Sequence, residues 1–152
     1  MNVKHLMILF VIMSFSLVAQ EKNDDIELIT VTIENYFEGY INRDVSKLNK
    51  AFDIQNGTMK VPSVNQKGIE NIENSYFRDL IPKWASREKL PPEALKKCVL
   101  KILNLDVVDE KMGIAKISMK VGETTYIDIL SLQKINQIWK ITNKIYVVID
   151  DD

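Results

Sequence analysis

Disulfide chemistry is almost excluded at the outset, because Cys98 is the only cysteine in the chain. No bridge can close within one molecule, although two copies could still join through it. Cys98 sits beside Val99 and Leu100, which reads as a small buried hydrophobe rather than a reactive thiol. Histidine is equally scarce: His5 is the single one, and it lies in the first few residues. Five glycines and four prolines are scattered, so neither a phosphate-cradling glycine loop nor a flexible linker is present. Paired cysteines and helices carrying two histidines, the usual frames of zinc sites, are missing as well. Neither charge predominates, with 20 Lys and Arg against 21 Asp and Glu, so there is no basic footprint for nucleic acid.

What is present begins with an apolar segment. Lys4 precedes Leu6 to Met13, and Ser14, Phe15, Ser16, Leu17, Val18 and Ala19 lead into a polar stretch at Gln20. A positive start, a short apolar core and a small boundary residue predict a signal peptide over 1–19 and an exported product, periplasmic or extracellular. The run is shorter than the roughly 20 residues of a spanning helix. An uncleaved anchor is the alternative, since Leu17 is a poor fit two places before the cut. Cleavage would remove Lys4 and His5, moving the formal charge from -1 to -2 and leaving no histidine. A Ser-His-Asp or Cys-His mechanism would then be impossible within one chain.

The remaining length suits one domain. Asp24 and Asp25 are candidate caps for a helix with apolar positions at Ile26, Ile29, Ile33, Tyr36/Phe37 and Tyr40. Asp44 caps a second helix bearing Val45, Leu48 and Phe52, so Asn42-Arg43-Asp44 is a tight turn. Gln55-Asn56-Gly57 marks another turn, with Asn56-Gly57-Thr58 also a glycosylation sequon. A short strand, Thr58 to Val61, ends at Pro62. A helix opening at Asn74 or Ser75 places Phe77, Leu80, Ile81 and Trp84 on one face, shortened or kinked by Pro82. Arg87 to Pro92 reads as a charged connector. Four strand-like runs close the chain: Val99–Val108, Ile114–Val121, Thr124–Lys134 and Ile138–Ile149. Gly122-Glu123 suits a two-residue hairpin turn. Helices first and an antiparallel meander last is an α+β layout spanning 24–149, with Asp150-Asp151-Asp152 a solvated acidic tail.

The segments "YFEGYINRD", "LNKAF" and "YIDILSLQKINQIWKITNK", in that order and spacing, resemble the nuclear transport factor 2-like superfamily, in its SnoaL-like or putative lumazine-binding branch. The likeness covers about residues 24 to 148. It implies a cystatin-like α+β roll, a curved antiparallel sheet wrapped by N-terminal helices around a conical pocket. The same fold hosts ketosteroid isomerase. On that comparison Tyr36 falls at the oxyanion-hole tyrosine and Asp128 at the carboxylic acid kept protonated in an apolar site. The base position falls on Lys60, and neighbouring Met59 and Val61 cannot replace it. The related dehydratases use a histidine that the mature chain lacks.

The resemblance places Tyr36, Lys60 and Asp128 as polar contacts of a pocket walled by Phe77, Trp84 and Tyr126. Tyr36 is equally readable as plain core, with its hydroxyl satisfied locally. Asp128 shares a strand face with Tyr126, Leu130 and Leu132, so its carboxyl is either paired, with Lys60 or Lys144, or raised in pKa beside a ligand. The expected function is binding of a small, partly apolar molecule, anionic if Lys60 meets it, with no cofactor and no metal. A proton-transfer enzyme is the alternative. So is a homodimeric interaction module pairing through the outer face of the meander, where Tyr146 and Val148 are the candidates.

Overall fold

A computed structural model describes residues 24–149; the expected signal peptide and acidic tail lie outside the described residues. Helix α1 occupies residues 24–42 and buries Ile29, Ile33, Tyr36 and Tyr40, the face that its helical spacing predicts. Asp24 and Asp25 are already helical, so neither is the expected cap. The Asp25 carboxylate instead turns inward and accepts the indole N–H of Trp139 at 2.8 Å. Arg43 ends α1 in the left-handed conformation, φ 61°. Asp44 then caps α2 (Val45–Ala51) by accepting from the Lys47 amide, as its sequence position predicts. The two helices meet closely at Gly39. A Cβ built there would lie 2.8 Å from Leu48 Cγ and 2.9 Å from the Leu48 amide nitrogen.

Strand β1 runs Thr58–Val64 and pairs with β2, Glu70–Tyr76. Both facts correct the expectation that Pro62 ends a strand and that a helix opens at Asn74 or Ser75. Only Thr58 to Lys60 contact another strand besides β2. Beyond them β1 is an edge, where a proline's missing N–H is tolerated. The hairpin closes on Asn65, whose side chain accepts from the Lys67 and Ile69 amides, and on Gly68 at φ 75°. Helix α3 (Phe77–Ala85) buries Phe77, Leu80, Ile81 and Trp84, the face seen in the sequence. A short α4 (Pro92–Lys96) follows the connector; Pro92 belongs to the helix rather than to the connector, in its first turn, where no N–H is needed. Cys98 is half-buried, its thiol directed at the Ala94 carbonyl.

The meander comprises β3 (Val99–Val108), β4 (Met112–Val121), β5 (Thr124–Ile135) and β6 (Ile138–Ile149). The sheet order is β2-β1-β6-β5-β4-β3, antiparallel throughout except where β1 joins β6 in parallel. The sheet is therefore mixed. Asn143 secures that junction, donating to the Thr58 hydroxyl at 2.9 Å. Two-residue turns match the expected hairpin at Gly122 and add one at Asn136-Gln137, both with positive φ, which matches the right-handed twist of the flanking strands.

The helices cover one face of the sheet. There Ala115, Ile117, Met119, Leu130, Leu132, Trp139 and Ile141 pack with the aromatic cluster of Tyr36, Tyr40, Phe52, Phe77 and Trp84. Phe52 and Phe77 are the closest of these rings, with centroids 4.2 Å apart. No helix among the described residues is long and apolar enough to cross a membrane.

The approach at Gly39 generates a sharp test. In an isolated helix, Gly39→Ala would gain about 1 kcal/mol from propensity. Against Leu48 the added methyl overpacks a site that has no room, at a cost of about 1–3 kcal/mol. Urea unfolding is expected to show a net loss of stability; a gain would mean that α1 and α2 do not approach as described.

Candidate functional site

The site is built from three inward-facing positions on two strands and one helix. On β5, Asp128 pairs in register with Ile117 of β4, so its side chain enters the apolar face and is fully buried. A bare carboxylate there would cost several kcal/mol in lost hydration. Two neighbours compensate it. Tyr36 of α1 donates its hydroxyl to Asp128 Oδ2 at 2.9 Å. Lys144 of β6, itself buried, sets its ammonium against Oδ1, which takes no other partner among the described residues. The Lys144 ammonium also lies 5.5 Å from the Tyr36 ring centre and 4.9 Å from that of Tyr146. The residues are thus coupled through one carboxylate.

Burial sets the protonation tendencies. It is the largest cause holding the Tyr36 phenol well above the usual tyrosine value, and the Asp128 charge adds to it. Burial draws the Lys144 amine below the usual lysine value, and Asp128 partly opposes that. Tyr126 is pushed up to about 12, again by burial first, with Tyr40 reinforcing it.

Above this floor opens a cavity of about 210 Å³ lined by Tyr36, Tyr40, Met59, Trp84, Arg87, Met119, Tyr126, Lys144, Tyr146 and Val148. Its base is buried, at Tyr36, Met59, Trp84, Met119 and Lys144. Its rim is open, at exposed Arg87 and Val148. Arg87 Nη1 donates to the Tyr40 hydroxyl at 2.6 Å, bridging α1 and the segment after α3.

Of the six residues singled out from sequence, the structure brings Tyr36, Trp84 and Tyr126 to the cavity wall and Asp128 beneath it. Phe77 is fully buried against Phe52, behind the wall. Lys60 is elsewhere. Met59 is in register with Lys144 and Lys60 with Ile145, so alternation sends Met59 inward and Lys60 to the outer face, where its ammonium donates to Asn74 Oδ1 at 3.0 Å. Asp128 therefore pairs with Lys144, not Lys60. The same alternation corrects Tyr146 and Val148, which line the cavity rather than the outer face. Arg87 was missed as a site residue, although its position three residues after Trp84 put it near the face that Trp84 occupies. Asp25 was also missed as a core group; it accepts Lys134 Nζ at 2.8 Å as well as the Trp139 indole. Among the described residues no cluster of three or more potential metal ligands occurs.

Comparison with other proteins identifies the family and the fold. A family described as "Putative lumazine-binding" matches residues 24–147. The chain belongs to that family. Solved structures share its fold. One is a nuclear transport factor 2-like protein of unknown function from Shewanella baltica, with TM-score 0.68 and 19% identity over 84% of this chain and 96% of that one. Another, of unknown function from Methylobacillus flagellatus, gives 0.64 and 20%, covering 83% and 93%. A cystatin-like fold protein from Burkholderia xenovorans gives 0.62 and 10%, covering 85% and 95%. No curated protein matches significantly. At these identities the solved structures establish the α+β roll of the superfamily and nothing finer.

Two outcomes are expected from the buried triad. Asp128→Asn leaves the Lys144 ammonium without its counter-charge and should destabilise the fold by about 3–5 kcal/mol, with much of the loss recovered on adding Lys144→Met; a single variant as stable as the parent would refute the pairing. Alkaline titration tests the phenols. The folded chain keeps the Tyr36 proton while the unfolded chain releases it near pH 10, so this residue's contribution to stability is whole below about pH 10 and declines as pH rises further. A Tyr36→Phe variant should lack that part of the decline, and Tyr126 should ionise near pH 12. An ordinary phenol titration step lost in Tyr36→Phe would contradict its burial.

Proposed function

We propose that this domain binds a small, partly apolar molecule in the cavity between its helices and sheet, and that it does so without chemistry. The observation that carries this is the engagement of Tyr36 and Asp128 with each other. In the isomerase comparison both groups would present protons to a substrate oxygen. Here the Tyr36 proton is directed at Asp128 Oδ2, Asp128 is held by Lys144, and the base position is occupied by Lys60 on the outer face. Such an arrangement supports a rigid polar floor more readily than a proton-transfer device. At about 210 Å³ the cavity is somewhat larger than one of about 150 Å³ that holds a benzene ring, which suits a small ring system. A heteroaromatic ring of the kind in the family's description is compatible with walls of Trp84, Tyr126 and Tyr146. Tyr36 and Lys144 would form its floor. Export, read from the apolar segment before residue 20, belongs to the same proposal, and N-terminal sequencing of the protein from its host's exported fraction tests it.

Native mass spectrometry of protein purified gently from its host tests the binding. A small retained mass that disappears on Trp84→Ala, or on Met119→Trp with the fold intact by circular dichroism, is the expected result. A mass retained equally by both variants would place the ligand elsewhere.

A second reading concerns assembly. On the outer face of the central strands, Ile127 is in register with Val147 and Ile129 with Ile145, and Val147 and Ile145 are well exposed. A contiguous apolar row of this kind favours pairing of two copies through the sheet. Sedimentation should then give a dimer that Val147→Lys dissociates; a parent chain monomeric at high concentration would dismiss it.

A further inference from the structure

The polar groups around the cavity mouth are unbalanced in charge. Its lining carries two cations, Arg87 and Lys144, and no carboxylate. Lys144 is spoken for by Asp128 beneath it. Arg87 is not matched in this way: among the described residues the only hydrogen bond its guanidinium makes is the one from Nη1 to the Tyr40 hydroxyl, and it makes no ion pair there. A guanidinium has five N–H donors in a fixed fork, so most of its donor capacity is unused among the described residues at a position that lines the cavity. Tyr40 also holds the guanidinium in place, with the Arg87 carbon 5.8 Å from the ring centre. The cation is therefore positioned before any ligand arrives, which reduces the ordering cost of binding.

We infer that the cavity selects small aromatic carboxylates, with the ring seated on Met59, Met119 and Trp84 and the carboxylate held at the rim by Arg87. This rests on the cavity being a binding site and adds its charge preference. Three features converge on it. Beside the polar floor, Met59, Met119 and Trp84 offer buried apolar and aromatic surface on which a ring would sit. Of the two lining cations, the one without a counter-ion among the described residues stands at the open end, where a carboxylate also stays partly hydrated. A guanidinium fork and a carboxylate match in two parallel hydrogen bonds. The anion contact once sought at Lys60 thus moves to Arg87, on the other side of the sheet. A cationic ligand would meet an uncompensated like charge on entry, which disfavours it.

The test uses full-length protein with carbon-13 methyl-labelled methionine, titrated with benzoate and with benzamide, its neutral isostere. Movement of the Met59 and Met119 methyl signals reports entry into the cavity. Benzoate should bind at least tenfold more tightly than benzamide. Arg87→Gln, with the fold checked by circular dichroism, should abolish that preference by weakening benzoate about tenfold relative to benzamide. If both probes move the two methyls with equal affinity, the cavity binds rings but is indifferent to charge, and the inference fails while the binding reading stands. If the benzoate preference survives in Arg87→Gln, a cation other than Arg87 sets it and the assignment is wrong. If neither probe moves either methyl at millimolar concentration, the binding reading and the inference fall together.

Discussion

A carboxylate placed in the middle of an apolar sheet face is the constraint around which this domain is arranged. Asp128 is fully buried, and an unpaired charge there would be incompatible with a stability of the usual 5–15 kcal/mol. Its two oxygens draw partners from opposite sides. Tyr36 reaches from α1 and Lys144 from β6, so one group ties the first helix to the last strand. These residues are 92 apart for the tyrosine pair. Such a contact cannot form until the meander has folded against the helix, which makes it a condition on the assembled fold rather than a local preference.

A second buried carboxylate does similar work at the other end of α1. Asp25 receives both the Trp139 indole and Lys134, and Thr32, between Asp25 and Tyr36 on α1, donates to the Trp139 carbonyl. The helix is thereby attached along its length to β5 and β6. Between these attachments the core is sealed by Ile29, Ile33, Leu132 and Ile141. Beyond Asp128 it opens, because aromatic rings at Tyr40, Trp84, Tyr126 and Tyr146 meet edge-on or tilted at centroid separations of 5.5–6.4 Å and do not fill the cone. The cavity is thus what remains where flat side chains converge on a floor already occupied by a paired charge.

Much of the fold was legible beforehand, for identifiable reasons. The stripe Ile29, Ile33, Tyr36, Tyr40 and the face Phe77, Leu80, Ile81, Trp84 have one helical period each, and Ala115, Ile117 and Met119 alternate as a half-buried strand must. Strand β2, "ENIENSY", was not legible. It is polar and exposed along nearly its whole length, so it carries no burial pattern, and its Asn and Ser mimic helix caps. It is a strand because β1 supplies a hydrogen-bonding partner, which is a pairwise property that neither segment contains.

The sequence by itself determined which residues face together within each element, since side-chain period follows from local backbone geometry. That was enough to put Tyr36 and Asp128 on apolar faces and to suggest a lysine partner. Only the tertiary structure decided which lysine. The parallel register of β1 on β6 aligns Met59 with Lys144 and Lys60 with Ile145, and a shift of one residue would exchange the faces of the strand. Register is set by the packing of strands distant in sequence. For that reason Lys144 stands beside Asp128 and Lys60 stands on the opposite surface.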